Sequence, residues 1–298
     1  MTEAVPGGGA EFARVRLRTT IRKYRASAML TQKEVAGELG WSVSKLLRLE
    51  QGASPITPSG IRALMSLYGV TDPAVIESQV EMAKQARGPM IYEAISSEIA
   101  TREYQELMGL ETGAKVIYKY EPAVIPGLFQ TEDYASNLSQ ALKLSPEQIE
   151  GQVELRMLRQ ANVLESTPRP ELNFILEEAA LCRKIGTNEV MLEQLDHLLE
   201  RAKESDISLS MLPLAAGAHP RMGTAFTILQ FDDDDLPDTL YREGANIETI
   251  SIDKPDEVQY YRELFAELHK RAGDFPSFSD QLVDIRRQRF SRTEQEVD

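Results

Sequence analysis

The 298-residue sequence predicts two unlike parts: an N-terminal all-α domain of five helices, and a C-terminal α/β or α+β domain with a mixed sheet. Three observations predict them. Residues 1–87 carry 12 Lys and Arg against 8 Asp and Glu, a net of +4, while the remainder holds 21 against 39, a net of −18. A change of sign at about residue 88 marks two domains with different partners. Between residues 31 and 52, two short helical patterns flank a single glycine. Beyond residue 115, runs of two-residue alternation interleave with helical periodicity, the pattern of a sheet covered by helices.

Taken whole, the chain is acidic, with a net charge of −14. Undivided, that charge would repel nucleic acid; divided at Gly88, it leaves a basic head. No stretch approaches the roughly 18 apolar residues of a membrane span. The start, MTEAVPGGGAEF, has no basic residues followed by an apolar run, so no secretory signal is expected. One cysteine, Cys182, excludes an intramolecular disulfide and a multi-cysteine metal site, and fits a reducing cytoplasm.

Pro6 and Gly7 to Gly9 read as part of a disordered tail over residues 1–10. From Glu11 to Met29 no Gly or Pro interrupts, and Phe12, Val15, Ile21 and Tyr24 give a partial apolar face, so a first helix is expected. Arg14, Arg16, Arg18, Arg22, Lys23 and Arg25 fall within it with no acid between them, as in a solvated basic helix. Thr31 and Glu34 form a capping box that starts a second helix, with Val35, Ala36 and Leu39 inward. Gly40 ends it where a left-handed backbone is favoured. Ser42 caps a third helix, with Leu46 and Leu49 inward and Gly52 closing it. Two short helices about a tight glycine turn make a helix-turn-helix. Thr57 caps a fourth helix with Pro58 in its first turn. Asp72-Pro73 starts a fifth, to about Arg87, and Gly88-Pro89 breaks the chain, which sets the first domain at 11–87.

Gln32, Val35-Ala36, Gly40, Ser42, Leu46, Leu49-Glu50 and Gly52 resemble the repressor-type helix-turn-helix family known as XRE or Cro/CI-like, over roughly residues 12–75. The resemblance implies that the helix after the glycine turn enters the major groove of double-stranded DNA. It places Val43, Ser44 and Arg48 at base edges. Arg48 can donate two hydrogen bonds to guanine, Val43 can touch a thymine methyl, and Ser44 can donate or accept. It places Gln32, its neighbour Lys33, Lys45 and the helix start at Thr57 near phosphates, which set affinity without reading sequence. It makes Arg25 the partner of Glu50, and these two with Gly40 are scaffold. Leu47 departs from the pattern, an apolar residue on the outer side, either exposed or packed on a second domain. Trp41, the only tryptophan, lies just before the reading helix, where its fluorescence should report DNA binding.

In the acidic part, residues 90–298, Met90 to Leu110 carry Ile91, Ile95, Ile99 and Leu107 at roughly helical spacing. Val116, Tyr118 and Tyr120 alternate with Ile117 and Lys119 as in a strand. Pro122 and Pro126-Gly127 are turns, and Thr131 caps a helix. Ser145-Pro146-Glu147-Gln148 is a capping box that starts a longer helix, to about Asn162. Glu171 to Glu177 is a strand. Asn188 caps a helix with Met191, Leu195, Leu198 and Ala202 on one face. Ile207 to Met211, Ala225 to Phe231, Asp238 to Arg242 and Ile247 to Ile252 are strand-like. Asp232 to Asp235 reads as a solvated hairpin turn. Asp256 to Ala272 and Ser279 to about Phe290 are the last helices.

Ile125-Pro126-Gly127-Leu128-Phe129-Gln130-Thr131 with Tyr134-Ala135 resembles the C-terminal domain of many actinobacterial regulators, the WhiJ-like group, where it follows the same type of helix-turn-helix. Arg156, Arg159-Gln160, Gln194-Leu195 and Tyr241-Arg242-Glu243 fit it as well. Members of that group are often encoded near a small partner protein, in an arrangement likened to antitoxin and toxin; the resemblance supplies no ligand. Pro126, Gly127, Phe129 and Gln130, a Pro-Gly turn before a capped helix, could line a pocket or partner groove, or simply close the sheet onto the helix. His219 and Arg221, in the loop between two strands, are a second candidate.

His197, His219 and His269 lie far apart in no ligand spacing. No G-x-S-x-G, P-loop or dinucleotide-type glycine run occurs. No metal, no cofactor and no enzymatic activity are expected. The expectation is a transcriptional regulator that binds operator DNA through residues 11–87 as a homodimer, in the cytoplasm and on the nucleoid. Residues 90–298 would take a small-molecule effector or a small cognate protein encoded nearby. The other reading is an antitoxin-like protein that mainly sequesters that small partner and regulates its own gene.

Overall fold

The computed structural model describes residues 9–89, 92, 99–233, 235–243, 248–252 and 254–290. The tail expected over residues 1–10 lies outside them as far as residue 8; Ala10 already begins the first helix. Five helices form the head: α1 (Ala10–Ser27), α2 (Gln32–Glu38), α3 (Val43–Glu50), α4 (Pro58–Leu67) and α5 (Pro73–Gln85). Side chains set their starts. Thr31 and Glu34 cap each other's backbone, Ser42 accepts from the Lys45 amide, Thr57 from Gly60 and Asp72 from Ala74. Each satisfies an N–H group that the first turn of a helix leaves unpaired. Gly40 makes the turn between α2 and α3 at φ +63°, which a Cβ disfavours. Ala13, Leu17 and Ile21 of α1 pack with Val35, Leu46, Leu49, Ile61 and Leu64 into one core.

The body follows as α6 (Arg102–Glu111), β1 (Val116–Glu121), α7 (Glu132–Ala141), α8 (Pro146–Leu164), β2 (Glu171–Glu177), α9 (Glu178–Cys182) and α10 (Asn188–Arg201). Then come β3 (Ile207–Leu212), β4 (Ala225–Gln230), β5 (Thr239–Glu243), β6 (Glu248–Ser251), α11 (Pro255–Ala272) and α12 (Phe278–Phe290). The strands form one mixed sheet of order β3-β2-β1-β4-β5-β6. β1, β2 and β3 run parallel; β4, β5 and β6 join antiparallel. Successive strand residues point to opposite faces. Ile117, Phe174 and Leu229 therefore join one core with Leu128, Leu195 and Leu282, while Tyr120, Phe226 and Ile228 join a second with Tyr261, Leu264 and Leu268 of α11.

Head and body share α1. Phe12 and Val15 belong to the body's core, and the Phe12 ring lies 5.9 Å from that of Phe231. Two glycines make room for it. A Cβ on Gly109 would fall 2.4 Å from the Glu11 Cβ, and one on Gly113 would fall 2.3 Å from the Phe12 ring. Buried on both sides, α1 divides its apolar residues between two cores, which is why its stripe reads as partial in the sequence.

Two expectations need correction here, and one element was not foreseen. In the helix expected from Met90 to Leu110, Tyr92 and residues 99–101 are not helical, and α6 begins at Arg102, where the Thr101 hydroxyl accepts from the Tyr104 amide; residues 90, 91 and 93–98 lie outside the described residues. The cap of α10 is Thr187, one residue before Asn188, because its hydroxyl meets the Val190 amide. The strand β2 turns directly into the short helix α9, which the alternating pattern before it did not foretell.

Candidate functional site

On α3, Leu46 and Leu49 face inward, while Val43, Ser44, Leu47 and Arg48 are exposed. Positions i, i+1, i+4 and i+5 share one helix face. Leu47 is 40% exposed and Val43 44%, so Leu47 stands beside Val43 on the reading face and does not pack on the body. Sequence reasoning left Leu47 unassigned; its place one turn after Val43 puts a second exposed apolar side chain on that face. Among the described residues no ion pair holds Arg48. The Lys45 ammonium lies 3.8 Å from the centre of the Trp41 ring, and Lys33 is exposed at the start of α2. The Thr57 hydroxyl caps α4 and lies 3.1 Å from Ser59 Oγ.

Gln32 is placed differently from the expectation. Its amide donates to Glu50 Oε2 at 2.8 Å, beside two hydrogen bonds from Arg25 at 2.6 and 3.0 Å. Glu50 is buried, and a buried carboxylate must be met by donors. Gln32 therefore joins Arg25 in holding the scaffold carboxylate.

The basic run on α1 is also not a solvated face. Arg16 is bonded to Asp233 and lies 3.9 Å from Asp235, Lys23 lies 3.1 Å from Asp235, and Arg18 is bonded to Glu106 of α6. The expected solvated turn at Asp232 to Asp235 is thus largely a receptor for the head's cations; only Asp232, which meets Lys115 at 3.0 Å, is open to water, and Asp234 lies outside the described residues. Burial pushes the Asp233 carboxyl up, but the Arg16 guanidinium outweighs it and holds the group below the usual carboxylate range. The same contacts reach the reading helix. The carbonyl of Gln51, the C-cap of α3, accepts from Arg18 at 3.3 Å and from Arg102 of α6 at 3.1 Å.

On the other side of α6 lies a cleft of about 470 Å³. Its floor is one rung across four strands. Phe174, Lys119, Thr227 and Tyr241 stand opposite one another on β2, β1, β4 and β5, and all four line the cleft. Lys119 lies 2.6 Å from Glu243 and 3.4 Å from Glu121. Burial would depress Lys119, but the two carboxylates outweigh it, and the ammonium is held well above its ordinary range. Burial raises Glu121 despite Lys119 beside it. Arg159 of α8 forms a two-point pair with Glu111 of α6, both bonds 2.7 Å, and donates to the Tyr104 hydroxyl at 2.6 Å.

The Pro126–Gln130 turn forms one wall, and its shape is fixed by glutamines. Gln160 donates to the carbonyls of Gly127 and Gln130, each at 2.8 Å. Gln194 donates to the Phe129 carbonyl and accepts from the Thr131 amide, each at 2.7 Å. Gln130 donates to the Ile125 carbonyl at 2.6 Å. Gly127 lets the turn lie close over two guanidinium groups: a Cβ there would fall 3.3 Å from Arg159 Nη1 and 3.8 Å from Arg156 Nε.

Pro126, Gly127 and Gln130 thus line the cleft, but three other candidates do not. Phe129 is fully buried behind the turn, its ring 4.9 Å from that of Phe174. His219 lies on the opposite face of the sheet, 3.0 Å from Glu177, with its ring against Tyr120. Arg221 stacks over Tyr261 on that same side. Alternation separates them, since Tyr120 and Lys119 are neighbours on β1 that point to opposite faces. Tyr104, Glu111, Lys119 and Glu121 were not foreseen. The available signal was Lys119 and Glu121 alternating with tyrosines in a strand, charges on a face that a parallel sheet buries.

Among the described residues, no group of three His, Cys, Asp or Glu could hold a metal ion, and no helix is long and apolar enough to cross a membrane. Comparison with known proteins gives two family matches. One, described as a helix-turn-helix domain, covers residues 16–78, and supports DNA as a partner. No curated protein and no solved structure matches the chain. The other match covers residues 104–275, more than half of the chain, so the protein belongs to the family that carries the domain of unknown function DUF5753, here behind a helix-turn-helix head.

Proposed function

We propose that the protein is a sequence-specific regulator of the repressor (XRE) type that reads operator DNA with α3 and takes a small effector in the cleft of its body. The observation that carries this reading is the face formed by Val43, Ser44, Leu47 and Arg48, which the docked body leaves uncovered. The reading extends to a cytoplasmic homodimer on paired half-sites about 34–36 Å apart, the spacing usual for helix-turn-helix dimers.

The link between cleft and head is α6. Thr101, Tyr104 and Glu111 line the cleft, while Arg102 and Glu106, from the same turns, hold Gln51 and Arg18. An effector that favours one position of α6 therefore favours one position of the reading helix. The body works by binding and not by catalysis. Its cleft lysine is locked between two carboxylates and kept charged, which keeps that amine from acting as a nucleophile or base. The rival reading, sequestration of a small cognate protein, calls for an open surface, whereas this polar site is recessed behind a wall held by glutamines.

Duplexes selected from a random pool by the full-length protein give the test. Arg48→Ala should weaken a selected duplex by about 1–3 kcal/mol and relax preference at one base pair. Equal loss on selected and random duplexes in a gel-shift titration would refute the base-reading role.

A further inference from the structure

The charges lining the cleft do not cancel evenly. Glu111 neutralises Arg159, and Lys119 stands between Glu121 and Glu243. That leaves two groups. Arg156 donates only to the neutral Gln130 side chain and has no carboxylate in ion-pair contact among the described residues, though its charge reaches Glu243 from a distance. Glu248 accepts a hydrogen bond from the Thr101 hydroxyl and meets no cation among them. The floor rung lines the same cleft, and on it the Thr227 hydroxyl is buried without a hydrogen-bond partner among the described residues. A buried hydroxyl left unmet costs about 1–3 kcal/mol, so it favours a polar occupant. The rest of the lining includes Ile125, Leu138 and Phe174, an apolar wall.

We infer that the cleft binds a small zwitterion with an apolar body, of the class of apolar amino acids and short peptides. Its carboxylate meets Arg156, its ammonium meets Glu248, and its aliphatic or aromatic part lies along Ile125, Leu138 and Phe174. This rests on the reading that the cleft is the effector site. A phosphate or nucleotide is disfavoured because a single unpaired guanidinium faces an excess of carboxylates. A purely apolar molecule would leave both lone charges and Thr227 covered and unmet. The volume of about 470 Å³ suits a ligand of this size.

The test is calorimetric titration of the full chain with leucyl-leucine, its C-terminal amide, its N-acetyl form and decanoate. The expected result is saturable binding of leucyl-leucine. The amide and the N-acetyl form should each bind about tenfold more weakly, as each lacks one charge-assisted hydrogen bond. Arg156→Gln should erase the preference over the amide, and Glu248→Gln the preference over the N-acetyl form. No binding by leucyl-leucine, or decanoate binding as tightly, would overturn the inference on the unaltered protein, with no variant needed. So would an unchanged ranking in a folded Arg156→Gln variant. Gel shifts with a selected duplex, run without peptide, separate the two levels. Intact DNA binding with no peptide binding refutes the inference alone, whereas failed DNA binding refutes the regulator and leaves the cleft to be judged by calorimetry.

Discussion

Arg16 offers the sharpest test of how this protein divides its positive charge. It lies in a run of basic residues that reads from the sequence as a solvated face, yet its side chain is 11% exposed and bonded to Asp233, itself 19% exposed. A cation so placed cannot meet a phosphate. Lys45, beside the reading face and over Trp41, can. Each phosphate contact adds about 0.9 to the slope of log affinity against log salt, or about 3.5-fold between 50 and 200 mM salt. Lys45→Gln should therefore lower the slope by about 0.9 per protomer, and Arg16→Gln should leave it unchanged. Arg16→Gln should act instead on stability. It removes a charge-assisted hydrogen bond in a partly buried interface, at a cost of about 1.5–3 kcal/mol. For a chain of this size that is a fall in Tm of several degrees, about 2–4 °C per kcal/mol. Asp233→Asn should be non-additive with it, because the two side chains share one interaction. Salt-titrated fluorescence anisotropy and thermal unfolding on the same preparations supply both readouts. A drop in salt slope for Arg16→Gln with no change in Tm would refute the interdomain role.

Other consequences follow from the same geometry. Gly113→Ala places a Cβ 2.3 Å from the Phe12 ring and should destabilise the chain by about 1–3 kcal/mol of overpacking; an unchanged urea midpoint would deny the close approach of α1. Glu111→Gln leaves the buried Arg159 without its counter-charge and should cost about 3–5 kcal/mol in urea unfolding, while a loss under about 1 kcal/mol would show that water reaches the pair. Asp233 is held below the ordinary carboxylate range, so its contribution is full above about pH 3.9 and is lost as pH falls through the lower folded value. Thermal melts from pH 6 to pH 3 should therefore be less acid-sensitive in Asp233→Asn; identical acid limbs would remove Asp233 from the interface.

The fold was largely legible because its signals are local. Caps at Thr31, Ser42, Thr57 and Ser145 and the glycine at 40 act within a few residues, and strand alternation needs only a short window. The site was legible in fragments. Pro126, Gly127, Gln130, Arg156, Arg159 and Tyr241 were all visible as parts of a family pattern, but the rung that joins Tyr241 to Lys119 depends on strand order, which no local pattern states. The charge on α1 misled for a similar reason. Whether Arg16 faces water, DNA or Asp233 is decided more than 200 residues away along the chain, at a turn whose own acids looked solvated when read alone.

That long-range pairing changes what the charge split means. The head's net of +4 is an upper figure for its pull on DNA, because Arg16, Arg18 and Lys23 already face carboxylates of the body. Non-specific attraction is correspondingly weaker than that net charge suggests. The same pairs fix the head to the body, so the reading helix is not free to find its groove independently of α6. Arg102 and Arg18 share the Gln51 carbonyl, and α6 carries Glu111 and Tyr104 into the cleft. On the proposed effector role, an occupant of the cleft would alter DNA affinity only by the difference in its own affinity for the DNA-bound and DNA-free protein, and DNA would alter the occupant's affinity by the same factor. A swing from one bound operator in a hundred to ninety-nine would need a differential of about 10⁴. A ligand held by one guanidinium and one carboxylate differs between states by about one charge-assisted hydrogen bond at each end, roughly 3–6 kcal/mol in all if both are lost. Only the upper end of that range reaches the roughly 5.5 kcal/mol such a swing needs, so one contact alone would fall short and the pair would give a full swing only when both are lost entirely.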